Sequence, residues 1–312
     1  MNTNQNFSGI FEQAIVYPDP EAQERLSHLV GLDETKLKLA KIIGLLVNPA
    51  RLADWAKKHH PNVSSPLKHV LNRPPLVVLA GDVGSGKSEL AETIGDLVAR
   101  SEKIQVELFP LSLSSRGQGR VGEMTMLLSA AFDQTLERAK KLRGGNGHSS
   151  GAVILLVDEA DALAQSRENA QMHHEDKAGV NAFIRGIDRI KNAKVPAAVI
   201  MCTNRLNALD PAIKRRAAEI FPFSRPSADQ RLAVLNGPLG DLGLNEAEIQ
   251  QIVIISGDTN HNPFGFTYSD LVQRLIPSII LDAYPNRPIT GERAIEIAKK
   301  ISPTPPFKDI KK

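Results

Sequence analysis

Eight residues, Gly81-Asp82-Val83-Gly84-Ser85-Gly86-Lys87-Ser88, narrow the possible folds of this chain more than any other stretch. They follow the apolar run Leu76-Val77-Val78-Leu79-Ala80 and lead into Glu89-Leu90-Ala91-Glu92-Thr93-Ile94, which has helical character. A glycine-rich turn that joins a buried strand to a helix and closes on Gly-Lys-Ser is a phosphate-binding pattern. Its glycines let backbone N–H groups turn inward onto phosphate oxygens, and the helix N-terminus adds a favourable field. Chance would place the spacing in roughly one chain of this length in a hundred, and the strand–loop–helix setting makes chance rarer. The backbone from Gly81 through Asp82, Val83, Gly84, Ser85 and Gly86 to Glu89 is expected to line a triphosphate. Lys87 would reach the β- and γ-phosphates of ATP, and the Ser88 hydroxyl would ligate Mg²⁺.

Strand and helix signals alternate around this loop. Leu90, Ile94 and Leu97 mark one helix face, 104–113 reads as a strand, and Met124, Leu128, Phe132 and Leu136 stripe the next helix at i, i+4 spacing. The run 152–157 is apolar throughout, as expected of a strand buried on both faces, and 197–202 reads the same way. A short last strand is expected at Ile220-Phe221. The pattern predicts an α/β fold, a five-stranded parallel sheet sandwiched by helices. Beyond Pro222 only helical patterns follow, predicting a small all-helical lid. The division expected is an N-terminal arm at 1–27, a large α/β domain at 28–224, a lid at 225–302 and a flexible tail at 303–312. One amphipathic helix is predicted within 32–55, and a proline-rich loop over 61–75.

Composition excludes several classes. A formal net charge of +3 with scattered Lys and Arg gives no basic stripe for direct nucleic-acid binding. No apolar run approaches the roughly 20 residues that span a bilayer, and residues 1–16 lack the layout of a signal peptide. The single cysteine, Cys202, rules out an intrachain disulfide and fits a reducing cytoplasm.

Hydrolysis needs more than a phosphate cradle. The strand 153–157 ends in Asp158-Glu159, which sets two carboxylates at the C-terminal edge of the sheet about 70 residues after the loop. Asp158 is expected to hold the metal and Glu159 to act as general base on the attacking water. The next buried strand ends in Thr203-Asn204, whose amide can hydrogen-bond the γ-phosphate or the water. Asp210-Pro211 then opens a helix that delivers Arg215 and Arg216. These could reach the ATP site of a neighbouring subunit.

Loop, acids, Asn and arginines in this order resemble an AAA+ ATPase across about residues 28–300. The resemblance implies that Val30 and Gly31, within Val30-Gly31-Leu32-Asp33, contact adenine. It also implies that Gly265 and Ser269, within Gly265-Phe266-Thr267-Tyr268-Ser269-Asp270-Leu271, lie at the lid's nucleotide face. Asp161, Leu163 and Arg167 fit the same pattern. A homo-hexameric ring with a central pore is implied, its substrate loop in 114–120 at Arg116, Gly117 and Gln118. Residues 180–191 and the stretch Arg216-Ala217-Ala218-Glu219-Ile220 are similar to the pachytene-checkpoint type, which remodels HORMA-domain proteins. A chain with so short an N-terminal arm looks like the bacterial form from CBASS anti-phage operons, whose HORMA partner can sit on a CD-NTase cyclase. A generic AAA+ unfoldase and a DNA-associated AAA+ switch are the alternatives.

Two positions depart from the family pattern. The substrate loop has no aromatic residue. Ser269 stands where an ATP-sensing arginine is expected, with Arg274 the nearest substitute. His173-His174-Glu175-Asp176 and His59-His60 read as surface turns or a second loop rather than metal sites, because adjacent helical residues diverge by about 100°.

Overall fold

The computed structural model describes residues 10–60, 62, 65–113, 122–144, 148–164, 174–205, 209–258 and 263–307, the side chains of 162, 164 and 174–176 excepted. The chain divides into two compact units. One comprises 1–27, 34–80 and 88–222; the other comprises 28–33, 81–87 and 223–312.

The first unit is built on a sheet with strands β1 (Ile15–Tyr17), β2 (Leu76–Gly81), β3 (Gln105–Ser112), β4 (Gly151–Asp158), β5 (Ala197–Thr203) and β6 (Ala217–Phe223). Their spatial order is β1-β3-β4-β5-β2-β6. The pairs β3–β4, β4–β5 and β5–β2 are parallel, and five of the six strands run the same way. The five-stranded parallel sheet is therefore present. The sixth strand, β1, comes from the N-terminal arm and pairs antiparallel with β3. Its partner edge is offered by β3, and Tyr17, fully buried, fills the space that Gly95 leaves by having no side chain.

Helices precede and interleave the strands: α1 (Pro20–Ser27), α2 (Asp33–Val47), α3 (Ala50–His59), α4 (Ser65–Leu71), α5 (Lys87–Glu102), α6 (Glu123–Lys141), α7 (Asp161–Ala164), α8 (His174–Ala193) and α9 (Pro211–Lys214). The single helix expected within 32–55 is two, because Pro49 lacks the N–H needed to continue α2. The loop expected over 61–75 contains α4, whose Pro66 sits in the first turn, where a missing N–H costs nothing. β6 is longer than the two residues predicted; as an edge strand it tolerates Pro222.

β4 explains how the sheet is held. Ala152 to Val157 are each at most 1% exposed, and each buried Val, Ile or Leu contributes roughly 1.5–3 kcal/mol. One face of the sheet packs on Leu128, Phe132, Val180, Phe183 and Ile187 from α6 and α8. The Phe132 and Phe183 rings meet edge to face at 5.7 Å.

In the second unit α10 (Ala228–Asp241), α11 (Glu246–Ile255), a π-helical turn (Asp270–Leu275), α12 (Ile276–Ala283) and α13 (Gly291–Lys300) enclose a core of Leu235, Leu239, Ile252, Phe266, Leu271 and Leu275. Capping boxes start two of these helices, Ser227 with Gln230 at α10 and Asn245 with Glu248 at α11. The tail, expected to be flexible from 303, is tied down at Thr304, which donates to Asp270 through its N–H (3.0 Å) and hydroxyl (2.7 Å). No helix of the described residues is long and apolar enough to cross a membrane.

Candidate nucleotide site

The parallel register levels the strand ends. Ala80 at the end of β2 pairs with Thr203 of β5, and Asp158 at the end of β4 pairs with Ser112 of β3. In a parallel α/β sheet ligands collect at the carboxyl edge, where the loops that follow the strands leave the core.

In the first unit this edge carries a connected polar cluster. Glu159 follows β4 with a left-handed φ of 52°, and its carboxylate accepts from the Ser112 hydroxyl at 3.0 Å. A non-glycine residue in that region stores strain of order 1–3 kcal/mol, a feature that gathers at functional sites. Its backbone N–H donates to the Asp158 carboxylate at 2.7 Å, and the N–H of Ala160 donates to the Cys202 carbonyl at 2.9 Å. Asp161 organises the end of β5. Its carboxylate accepts from the Thr203 hydroxyl (2.7 Å), the Asn204 N–H (2.7 Å) and the Asn204 side-chain amide (3.0 Å). Asn204 is thereby locked in one orientation.

Ser88 and Glu89 lie in the first turn of α5. The Glu89 carboxylate is bound by Arg25 of α1 at 2.7 and 3.0 Å. Glu92 shares the same arginine at 2.7 Å. Downstream, Asp210 caps α9 by accepting from the Ala212 N–H at 2.7 Å. Arg216 forms a two-pronged pair with Asp188 at 2.8 and 2.9 Å, which raises its pKa through the hydrogen-bonded carboxylate. Arg215 is exposed.

The phosphate loop belongs to the second unit. Gly81 has a φ of 153°, and a Cβ there would stand 1.9 Å from the Phe223 carbonyl oxygen, so only glycine fits. The ammonium of Lys87, nearly buried, donates to the carbonyls of Gly81 (3.1 Å) and Asp82 (2.6 Å). The Ser85 hydroxyl donates to the Asp82 carbonyl at 2.7 Å. Val83 is exposed at the loop tip. A cationic side chain held under a turn of glycines is a cradle shaped for an anion. The Ser269 N–H donates to the Gly84 carbonyl at 3.1 Å, so the motif 265–271 touches the loop through its backbone. Arg274 is paired with Asp270 at 2.7 Å. The Gly31 carbonyl accepts from the Gln230 side chain at 2.9 Å, and Val30 packs on the helical core. Gly265 donates its N–H to Asp258 at 2.6 Å.

The oxygen donors Ser88 and Asp158 suit Mg²⁺, a hard cation that takes one or two protein ligands and completes its shell with phosphate and water. Arg116, Gly117 and Gln118 lie outside the described residues, as do Arg167 and His173. The His59 and His60 rings lie tilted against Trp55 at centroid separations of 6.0 and 5.0 Å. Among the described residues no cluster of three or more His, Cys, Asp or Glu could hold a metal. The sequence reading assigned no role to Arg225, which binds the Asp82 carboxylate at 2.6 Å across 143 residues of chain. No local spacing announces such a pair.

A glycine-rich loop after β2 in one unit, and acids after β4 with an oriented Asn after β5 in the other, are the features of the phosphate-loop nucleotide triphosphatase class. Residues 77–225 match the family model "ATPase family associated with various cellular activities (AAA)". The chain is 62% identical over 309 residues, 99% of each protein, to CD-NTase-associated protein 6 of Escherichia coli (strain MS 115-1). It superposes with a TM-score of 0.88 on a chain of the E. coli MS115-1 HORMA:CdnC:Trip13 complex, 61% identical, with 96% of this chain and 99% of that one covered. Rhizobiales Trip13 is 52% identical with a TM-score of 0.74, covering 95% of this chain and 100% of that one. The chain belongs to the AAA ATPases, and within them to the Trip13-like CD-NTase-associated protein 6 family. It is an ATP hydrolase.

Proposed function

We propose that the chain is a Mg²⁺-ATP-driven remodeller that opens, or strips from its complexes, a HORMA-domain protein, and so regulates CBASS anti-phage signalling in the bacterial cytoplasm. The observation that carries this reading is the full-length likeness to a chain solved together with HORMA and CdnC, at 61% identity and a TM-score of 0.88. The working form is a homo-hexamer with ATP at each subunit interface. The HORMA protein, free or bound to a CD-NTase cyclase, is the partner.

The residue roles belong to the same proposal. Lys87 leaves its carbonyl partners for the β- and γ-phosphates, while the backbone of 81–89 lines the triphosphate. Ser88 and Asp158 hold Mg²⁺, which supplies charge neutralisation on the phosphate oxygens. Glu159 takes the proton of the attacking water as that water moves toward the γ-phosphorus. Asn204, fixed by Asp161, orients the same water or a γ-phosphate oxygen. Arg215 serves as the arginine that reaches a neighbouring site, and Arg216, tied to Asp188, sets the position of the turn that presents it. Val30, Gly31, Gly265 and Ser269 flank the base and the loop. Arg116, Gly117 and Gln118 engage the substrate by backbone and polar contacts.

The test couples turnover to the partner's state. A HORMA-domain protein from the same operon is incubated with the chain and ATP, and its conformation is followed by limited proteolysis of its N-terminal segment. ATP-dependent opening is expected. Glu159→Gln is expected to keep nucleotide binding and lose turnover by at least about 100-fold, the usual weight of a general base. A HORMA protein left unchanged by the active wild type would return the reading to a generic unfoldase.

A further inference from the structure

Within the second unit a single arginine ties three segments that lie far apart in sequence. Arg225 Nε donates to Asp82 Oδ2 of the phosphate loop at 2.6 Å, Nη1 donates to the Gly265 carbonyl, and Nη2 donates to the Thr304 carbonyl at 2.6 Å. The ion pair is largely enclosed, with the Arg225 and Asp82 side chains 14% and 16% exposed. Such a pair is weakly screened, and its planar donor fork fixes direction as well as distance.

The remaining atoms of Asp82 leave it little freedom. Its Oδ1 accepts from the Val83 N–H at 2.9 Å, its N–H donates to the Phe223 carbonyl at 3.1 Å, and its carbonyl accepts from Lys87 at 2.6 Å. The side chain thus ties the loop backbone at Val83 to Arg225. At the far end Thr304 is itself pinned to Asp270, which also accepts from the Thr267 N–H at 3.0 Å and from Arg274 at 2.7 Å. Asp82, Arg225, Thr304, Asp270 and Thr267 form an unbroken chain of polar contacts.

We propose that Arg225 is a positioning residue for ATP, and that Thr304 makes the C-terminal segment a strut which sets the shape of the phosphate loop. Arg225 touches no phosphate in this role. It acts through Asp82, so its loss widens the range of loop conformations and weakens nucleotide binding more than it slows the chemical step. The inference rests on the loop being the nucleotide site.

The experiment uses the full chain, a fluorescent ADP analogue and steady-state ATP turnover. Arg225→Ala is expected to raise both the analogue's Kd and the KM for ATP about tenfold while kcat stays within about threefold, a split characteristic of lost ground-state positioning. Arg225→Lys is not expected to rescue, because one ammonium cannot span three acceptors. Thr304→Pro removes the N–H and hydroxyl that Asp270 holds. It is expected to shift Kd the same way in the wild type and to add nothing in the Arg225→Ala background, as partners in one network behave. Unchanged Kd in a folded Arg225→Ala variant would overturn the strut, and so would effects of the two substitutions that multiply. Should Arg225→Ala fail to fold, Thr304→Pro alone decides: an unchanged Kd and KM overturns the proposal. A wild type that does not bind the analogue would remove the nucleotide site itself, and the strut with it.

Discussion

Asp270 shows how one buried carboxylate is kept charged. Burial alone pushes its pKa up, but hydrogen bonds from the Thr267 backbone, from the Thr304 side chain and backbone, and from Arg274 outweigh it and hold the carboxyl at about 2. The folded-state pKa lies below the unfolded value of 3.8. The group's stabilisation is therefore complete above that value and is lost as pH falls through the folded pKa. A shift of this size corresponds to roughly 2 kcal/mol. Thermal unfolding between pH 5 and pH 2 should show wild type losing that amount, with a visibly flatter slope for Asp270→Asn. Gly81 sets a different residue-scale limit. A methyl group there meets the Phe223 carbonyl oxygen at 1.9 Å, so Gly81→Ala should abolish binding of the fluorescent ADP analogue, even at saturating Mg²⁺. The glycines, Lys87, Asp158, Glu159 and Asn204 were legible in the sequence, because strand ends and loops announce themselves by local pattern. Asp161 carried a family resemblance but no role. Its role in orienting Asn204 needs the β4 and β5 ends side by side, and no one-dimensional spacing gives that.

At the scale of elements, helix and strand patterns placed most of the architecture, and the misses have plain causes. The N-terminal arm was read as an extension, since three residues of strand carry no periodicity. Its β1 exists because β3 leaves an edge open and because Tyr17 drops into the space beside Gly95 of α5. The Tyr17 hydroxyl donates to the Glu92 carbonyl, and burial raises its pKa. A Cβ at residue 95 would fall 2.3 Å from the Tyr17 ring. Gly95→Ala should therefore expel β1. Hydrogen exchange at 15–17 and 106–108 should accelerate, with a loss of stability of about 1–3 kcal/mol from overpacking. Unchanged protection at β1 would show that backbone pairing alone holds the arm. The tail was read as flexible on its prolines and lysines, and prolines rule out only the hydrogen bonds that their missing N–H would make. They leave Thr304 free to bond Asp270 and Arg225.

At the scale of the whole molecule, the proposed ring makes a prediction that a monomer does not. If Arg215 completes a neighbour's site, Glu159→Gln chains mixed into wild type should depress turnover more steeply than dilution, and Arg215→Ala rings should lose at least about 1,000-fold in turnover. Linear loss on mixing would confine each site to one chain. The fold class, the parallel sheet, the phosphate loop and the acids all followed from residue order, because each rests on contacts within a few residues or on the hydrophobic period of one element. The antiparallel β1, the lock of Asp161 on Asn204, and the Arg225 and Thr304 network tied to the loop did not follow. Each joins residues tens to hundreds of positions apart, and hydrogen bonds at about 3 Å between such residues exist only after the chain has packed.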